Sequence, residues 1–330
     1  MVLKLGVGLP TDGPMATADN IFAITDLAER LGYESLWGFQ PFRKPHRTLP
    51  DGLRRHAYDS RLEPMTLLAA VAGRTSRARL GIVVSPGHSL VELANRLATL
   101  DLLSSGRLDL GIGPGWSGDR FSLFGQRFGE RGRATDELLA KLRSALAGEP
   151  AEDREHDLRI PRPMPVQKPT VPILLVGYGK ATVQRIVAYG DGCVAGQLSF
   201  ERWGRLVADV CRQVAAAGRD ASALRFVCRA TVRLHRRPLV RRRLMEGSTG
   251  QIRTDLARYA AVGVTDLSME FDFEETANRH GAAPGTVRTS AEHILYELAP
   301  QQGTDSAKAA RPGRRCLTIA SRTEPSVRST

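Results

Sequence analysis

This chain is poor in the patterns that assign a chemistry at once. No apolar run reaches the roughly 18 residues a membrane span needs. Residues 1–9 lack the charged region, apolar stretch and cleavage site of a secretory signal, so the expected location is the cytoplasm. Cysteine is scarce: Cys193, Cys211, Cys228 and Cys316 include no close pair with metal-ligand spacing. There is no His-Glu-x-x-His and no paired carboxylate on one helix face with a third ligand, so no metal is expected. A Walker pattern, a Rossmann glycine fingerprint and a Gly-x-Ser-x-Gly elbow are also missing. Their absence argues against phosphate-loop, dinucleotide and α/β-hydrolase chemistry.

What remains is an ordinary globular composition, 42% hydrophobic and 25% charged over 330 residues, which suits one barrel or two smaller domains. The net charge is +12. Part of the excess sits in residues 300–330, with six Lys/Arg against two Asp/Glu and no periodic pattern, read as a disordered basic tail. A second cluster is Arg233, Arg236, Arg237, Arg241, Arg242 and Arg243. No nucleic-acid module surrounds it, so a solvated face or mobile loop is expected rather than a nucleic-acid site. An anionic ligand such as a phosphate or an acidic cofactor tail stays open.

Strand and helix patterns alternate eight times. The strands are Leu3–Leu9, Glu34–Phe39, Arg79–Ser85, Arg107–Gly113, Pro172–Val176, Gly192–Ala195, Leu224–Leu234 and Thr265–Phe271. Several are near-continuous apolar runs, as in a parallel sheet buried on both faces. Eight such units over residues 1–299 point to an α/β fold, a (β/α)8 TIM barrel, with an open doubly wound sheet as the alternative. Barrel sites lie at the C-terminal strand ends, so the residues after each run are the ones to inspect.

Ser104–Trp116 is the richest stretch: a Ser-Gly turn, an apolar run, then Gly113, Gly115 and Trp116. Glycine allows close approach to the backbone and tryptophan offers a flat apolar face, which suits a ligand mouth. A strand end with permissive turn residues accounts for it equally. Gly177, Tyr178, Gly179, Lys180, Ala181 and Thr182 follow the fifth strand and open a helix. Backbone N–H groups there suit a phosphate, with Lys180 or Thr182 assisting; an ordinary strand–helix turn is the plainer reading. The long loop Gln40–Leu62 holds His46, His56 and Tyr58, and His88 follows the third strand beside Gly87. These four are the candidate proton donors or acceptors, against a solvated loop with incidental histidines.

Several segments together resemble the luciferase-like monooxygenase superfamily. They are GYESLWGF (Gly32–Phe39), LATLDLLSSGRLDLGIGPGW (Leu97–Trp116), FGQRFGERGRATDELL (Phe124–Leu139), PVQKPTVPILLVGYG (Pro165–Gly179), YGDGCVAG (Tyr189–Gly196) and LARYAAVGVTDLSME (Leu256–Glu270). They span about residues 1–298 in order. The resemblance implies a barrel that binds reduced flavin (FMN) or the deazaflavin coenzyme F420 at its C-terminal mouth. The implied cofactor-binding residues are Gln40, Val84, Ser85, Gly113, Gly115, Trp116 and the turn from Gly177 to Thr182. Val84–Ser85 would lie under the ring, often with a non-proline cis peptide in relatives. A homodimer and a small-molecule substrate are implied as well. A flavin-dependent enzyme would use O2 and draw on a separate flavin reductase; a deazaflavin enzyme would transfer hydride.

The chain departs from the family at three acids. Gln40 stands where relatives carry an acid or histidine. Gly113-Pro114 stands where some deazaflavin dehydrogenases have a glutamate, and Asp119 replaces a glutamate beyond the tryptophan. The short spacing from strand five to strand eight is most like the deazaflavin branch. The lost acids leave room for a non-catalytic flavin-binding or storage protein on the same barrel.

Overall fold

The computed structural model describes residues 2–12, 15–39, 62–115, 127–148, 163–271 and 284–300, with the side chains of 284–287 excepted. Its strands are β1 (Lys4–Gly8), β2 (Ser35–Gly38), β3 (Arg79–Val84), β4 (Leu108–Ile112), β5 (Ile173–Val176), β6 (Gly192–Ala195), β7 (Arg225–Leu234), β8 (Glu246–Gly247) and β9 (Asp266–Phe271). Its helices are α1 (Ala18–Leu31), α2 (Pro64–Ala72), α3 (Leu90–Leu103), α4 (Arg131–Ala147), α5 (Lys180–Tyr189), α6 (Phe200–Ala216), α7 (Thr249–Ala261) and α8 (Pro284–Leu298).

β1 to β7 pair in chain order, and β9 pairs with both β7 and β1, all in parallel. The eight strands therefore close into a TIM barrel. The expected strands all form, shortened by a residue or so at some ends. β8 was not expected: it adds a two-residue parallel pair to the end of β7. The basic segment behind β7 is correspondingly not a mobile loop. Asp255 on α7 accepts from Arg242 Nη2 at 2.8 Å and Met245 N at 2.9 Å, and Gln251 bonds Leu239 through both N–H and C=O.

Helix ends follow from local chemistry. Thr17 and Ser199 cap α1 and α6, Ser248 and Gln251 form a reciprocal capping box on α7, and Gly32 ends α1 at φ 84°. Each strand sends alternate residues two ways. Leu5, Val7, Leu80, Ile82, Leu110, Ile112, Cys193 and Cys228 pack outward against the helices. Trp37, Phe39, Val83, Leu174, Val194 and Val227 fill the lumen. Trp37 takes the middle of the lumen because glycine faces it: a Cβ on Gly81 would sit 2.2 Å from the indole.

The N-terminal end of the lumen is charged and closed. Asp109, fully buried, accepts from Arg79 Nη2 at 2.5 Å and pairs with Arg225 Nη1 at 2.8 Å. Arg225 also pairs with Asp266 at 2.8 Å. Arg79 Nη2 donates to Gln167 Oε1 at 3.0 Å, and Gln167 Nε2 donates to Asp101 Oδ1 at 2.7 Å. Arg107 donates to Ala78 O, Thr75 O and Ser104 O. Half of the Ser104–Trp116 stretch thus builds the closed end, with Ser105 and Gly106 turning the chain at φ 55° and 79°.

Candidate active site at the barrel mouth

The opposite end of the lumen is where the strands release their loops. Phe39, at the end of β2, stacks on Trp37 with ring centroids 5.2 Å apart and an interplanar angle of 7°. The Arg229 guanidinium lies over the Phe39 ring, 3.6 Å from the centroid, and its Nη2 pairs with Glu270 Oε1 at 2.5 Å. Gly8 leaves room for this layer: a Cβ there would stand 3.2 Å from Glu270 Cγ. The mouth therefore has an aromatic floor topped by a charge pair, with both partners still partly exposed. A cation over a ring face is held by the ring quadrupole as well as by its carboxylate. Neither Arg229 nor Glu270 was singled out from the sequence. The available signal was parity: Asp266, Ser268 and Glu270 alternate with Leu267 and Met269, which marks a polar inner face on β9.

Ser85 is buried and continues the inward parity of β3. Gly113 is buried against β5, where an added Cβ would meet Val176 Cβ at 2.7 Å, and Gly115 has φ 72°. His88 is half-buried and not without a partner. Val84 turns its side chain into the outward core, and its carbonyl accepts from Gly113 N at 3.1 Å. Only its backbone faces the mouth. The Val84–Ser85 peptide is trans; Lys168–Pro169 is the one cis bond among the described residues. Gln40, His46, His56, Tyr58 and Trp116 lie outside the described residues, as do Asp119 and the tail beyond Pro300.

The Gly177–Thr182 turn forms as a bare strand–helix junction. Gly177 has φ 128°, and a Cβ there would stand 2.9 Å from Thr182 Oγ1. Gly179 is the N-cap of α5, no side chain caps it, and a Cβ there would meet nothing within 4 Å. Lys180 and Ala181 are exposed and Thr182 is half-buried. Tyr178 turns outward, 51% exposed, with Arg202 lying 4.9 Å from its ring centroid. Uncapped N–H groups, a hydroxyl and a lysine form a donor set that suits a phosphate dianion, and the missing Cβ atoms leave the approach clear. A flavin phosphate fits these residues. Among the described residues no cluster of His, Cys, Asp or Glu could hold a metal ion. No described helix is long and apolar enough to cross a membrane.

The sequence profile of the luciferase-like monooxygenases matches residues 2–294. The chain belongs to that family. An uncharacterized protein of Mycobacterium tuberculosis is 33% identical over 182 residues, covering 52% of this chain and 62% of that protein. The match thus spans less than two thirds of that relative's length. The coenzyme F420 dependent tetrahydromethanopterin reductase from Methanopyrus kandleri superposes with a TM-score of 0.66 at 15% identity, over 90% of this chain and 100% of that one. The oxygenating constituent of 3,6-diketocamphane monooxygenase from Pseudomonas putida, solved in complex with FMN, gives 0.66 at 17% identity, over 91% and 99%. At such identities the structural likeness establishes the luciferase-like barrel.

Proposed function

We propose that this luciferase-like barrel is an oxidoreductase that binds reduced FMN or coenzyme F420 at its mouth and acts on a small organic substrate. The observation that carries the reading is the bare Gly177–Thr182 junction opening beside the mouth of a barrel of this family. In this reading the N–H groups at the head of α5, the Thr182 hydroxyl and Lys180 hold the cofactor phosphate. Ser85, Gly113 and Gly115 give the ring a small-residue wall that admits close approach. Phe39, backed by Trp37, and the Arg229–Glu270 pair form the floor that keeps bulk water from the lumen. Bound there, a reduced flavin supplies O2 activation and a deazaflavin supplies hydride transfer. Proton transfer falls to Glu270 and His88 and, in the Gln40–Leu62 loop, to His46, His56 or Tyr58.

A non-catalytic flavin-binding role is the second reading. It is favoured by Glu270 being already engaged by Arg229 and by Gly113-Pro114 supplying no acid. Titration of the purified protein with each reduced cofactor, followed by absorbance, tests both. Tight binding of one cofactor with turnover on a substrate panel supports the enzyme. Binding without turnover supports storage, and binding of neither overturns both.

The same reading places the protein in the cytoplasm as a homodimer, with a separate flavin reductase supplying the cofactor if it is FMN. α3 exposes Leu102 and Leu103, 50% and 54% accessible, which a second copy would cover. Sedimentation velocity would check the dimer.

A further inference from the structure

The charge pair at the barrel mouth is built differently from the buried carboxylates of the barrel. Asp101, Asp109, Asp255 and Asp266 are buried, and each takes donors at both of its oxygens. Glu270 is held through one. Its Oε1 accepts from both Nε and Nη2 of Arg229 at 2.5 Å. Among the described residues no group bonds its Oε2. Both side chains can be reached from the mouth, with exposures of 16% for Arg229 and 29% for Glu270.

The surroundings fix both groups and leave space beside them. Arg229 lies over the Phe39 ring, and the Phe39 carbonyl in turn accepts from Thr11 Oγ1 at 2.7 Å. Gly8 lets the Glu270 stem pass close to β1. Ala195 pairs with Cys228, so the strand register sets Gly196 next to Arg229. A Cβ on Gly196 would meet nothing within 4 Å, which leaves open space beside the guanidinium. A ligand entering there meets a fixed cation and a fixed anion side by side.

That arrangement is selective. A cationic group is repelled by Arg229 and an anionic one by Glu270, so the pair favours neither. An amine is protonated at neutral pH and falls with the cations. An apolar group strips water from Oε2 and returns no hydrogen bond. An ionised carboxylate accepts hydrogen bonds and donates none, so a neutral donor fits it. We propose that Glu270 Oε2, positioned by Arg229, is a specificity contact for the hydroxyl of a neutral alcohol substrate. This deepens the oxidoreductase reading above and rests on its placing the substrate at the mouth.

Four probes built on one ring test it: cyclohexanol, methoxycyclohexane, cyclohexylammonium and cyclohexanecarboxylate. Each is titrated by saturation-transfer NMR at pH 8 into the full chain, alone and with FMN or F420 present. Cyclohexanol should bind at least about tenfold tighter than its methyl ether, the size of one hydrogen bond to a charged acceptor. Both ions should bind more weakly than the alcohol. The variants should exchange these preferences. Glu270→Gln removes the anion facing the guanidinium, and cyclohexanecarboxylate should become the best ligand. Arg229→Met removes the cation facing the carboxylate, and cyclohexylammonium should become the best. A pair that only braces the fold would lose stability in both variants and leave the order of the probes unchanged, which overturns the proposal. Circular dichroism checks that the variants fold; if they do not, the wild-type series decides. Equal binding of alcohol and ether, or no binding of the alcohol, overturns the contact and leaves the cofactor reading standing. A wild-type preference for cyclohexanecarboxylate overturns it in favour of an anion site on Arg229. If neither FMN nor F420 binds while the alcohol preference persists, the cofactor reading falls and the hydroxyl contact stands.

Discussion

Arg225 on β7 reaches across the lumen to Asp109 on β4, N to O 2.8 Å, and makes the two far walls of the barrel share one charge network. Burial works against the Arg225 charge, yet Asp109 and Asp266 more than offset it and hold the guanidinium above its ordinary value. Removing one partner of such a pair is costly because the other stays buried and charged. Asp109→Ala is expected to lower stability by roughly 3–5 kcal/mol, read as a fall in the urea midpoint. A loss within about 0.5 kcal/mol, the usual size for a surface substitution, would show that the network holds nothing together.

Gly81 and Trp37 form a second testable pair. A Cβ on Gly81 would fall 2.2 Å from the indole ring, inside any real contact. Gly81→Ala should cost about 3 kcal/mol, the upper end of ordinary overpacking. Trp37→Leu alone opens a cavity and is also destabilising. The two changes together should cost less than their sum, because the smaller side chain makes room for the added methyl. Simple additivity in thermal denaturation would contradict the close contact.

Gly177 tests the phosphate turn without touching the mouth floor. Alanine there meets both the positive φ of 128° and Thr182 Oγ1 at 2.9 Å. The fold should lose about 1–2 kcal/mol from backbone strain. Affinity for FMN should drop about tenfold while riboflavin, which lacks the phosphate, binds as before. An equal loss for both ligands would place the phosphate elsewhere.

The buried thiols set an alkaline limit. Burial pushes Cys193 and Cys228 up to about 12, from an ordinary value of 9.0, with each thiol further opposed by a neighbouring negative group. The folded state thus keeps protons that the unfolded chain releases. Their contribution is complete below pH 9 and is lost as the pH rises from there towards 12. Unfolding midpoints should fall over that range, and Cys193→Ala/Cys228→Ala should flatten the slope. Both thiols should stay unreactive to a thiol reagent in the native protein at neutral pH.

The barrel was legible because burial on both faces writes itself into composition. LGIVV and ILLV read as strands without knowledge of their neighbours. The glycine turn was equally plain, since few residues other than glycine accept its backbone. Three things were hidden. β8 is two residues long and depends on α7 for support, so it leaves no periodic trace. The Arg229–Glu270 pair joins residues 41 apart in sequence, and a charge count does not reveal such pairing. The Ser104–Trp116 stretch reads as one motif but serves two ends of the barrel: Arg107 and Asp109 brace one, and Gly113 and Gly115 open the other.

The charged plug of Arg79, Asp109, Arg225 and Asp266 has a further consequence for traffic. Above it Trp37, Leu174, Val194 and Val227 are each wholly inaccessible, so no passage runs through the lumen. Among the described residues the lumen therefore opens towards the mouth alone. A ligand held at the mouth would thus have to enter and leave on the same side of the barrel.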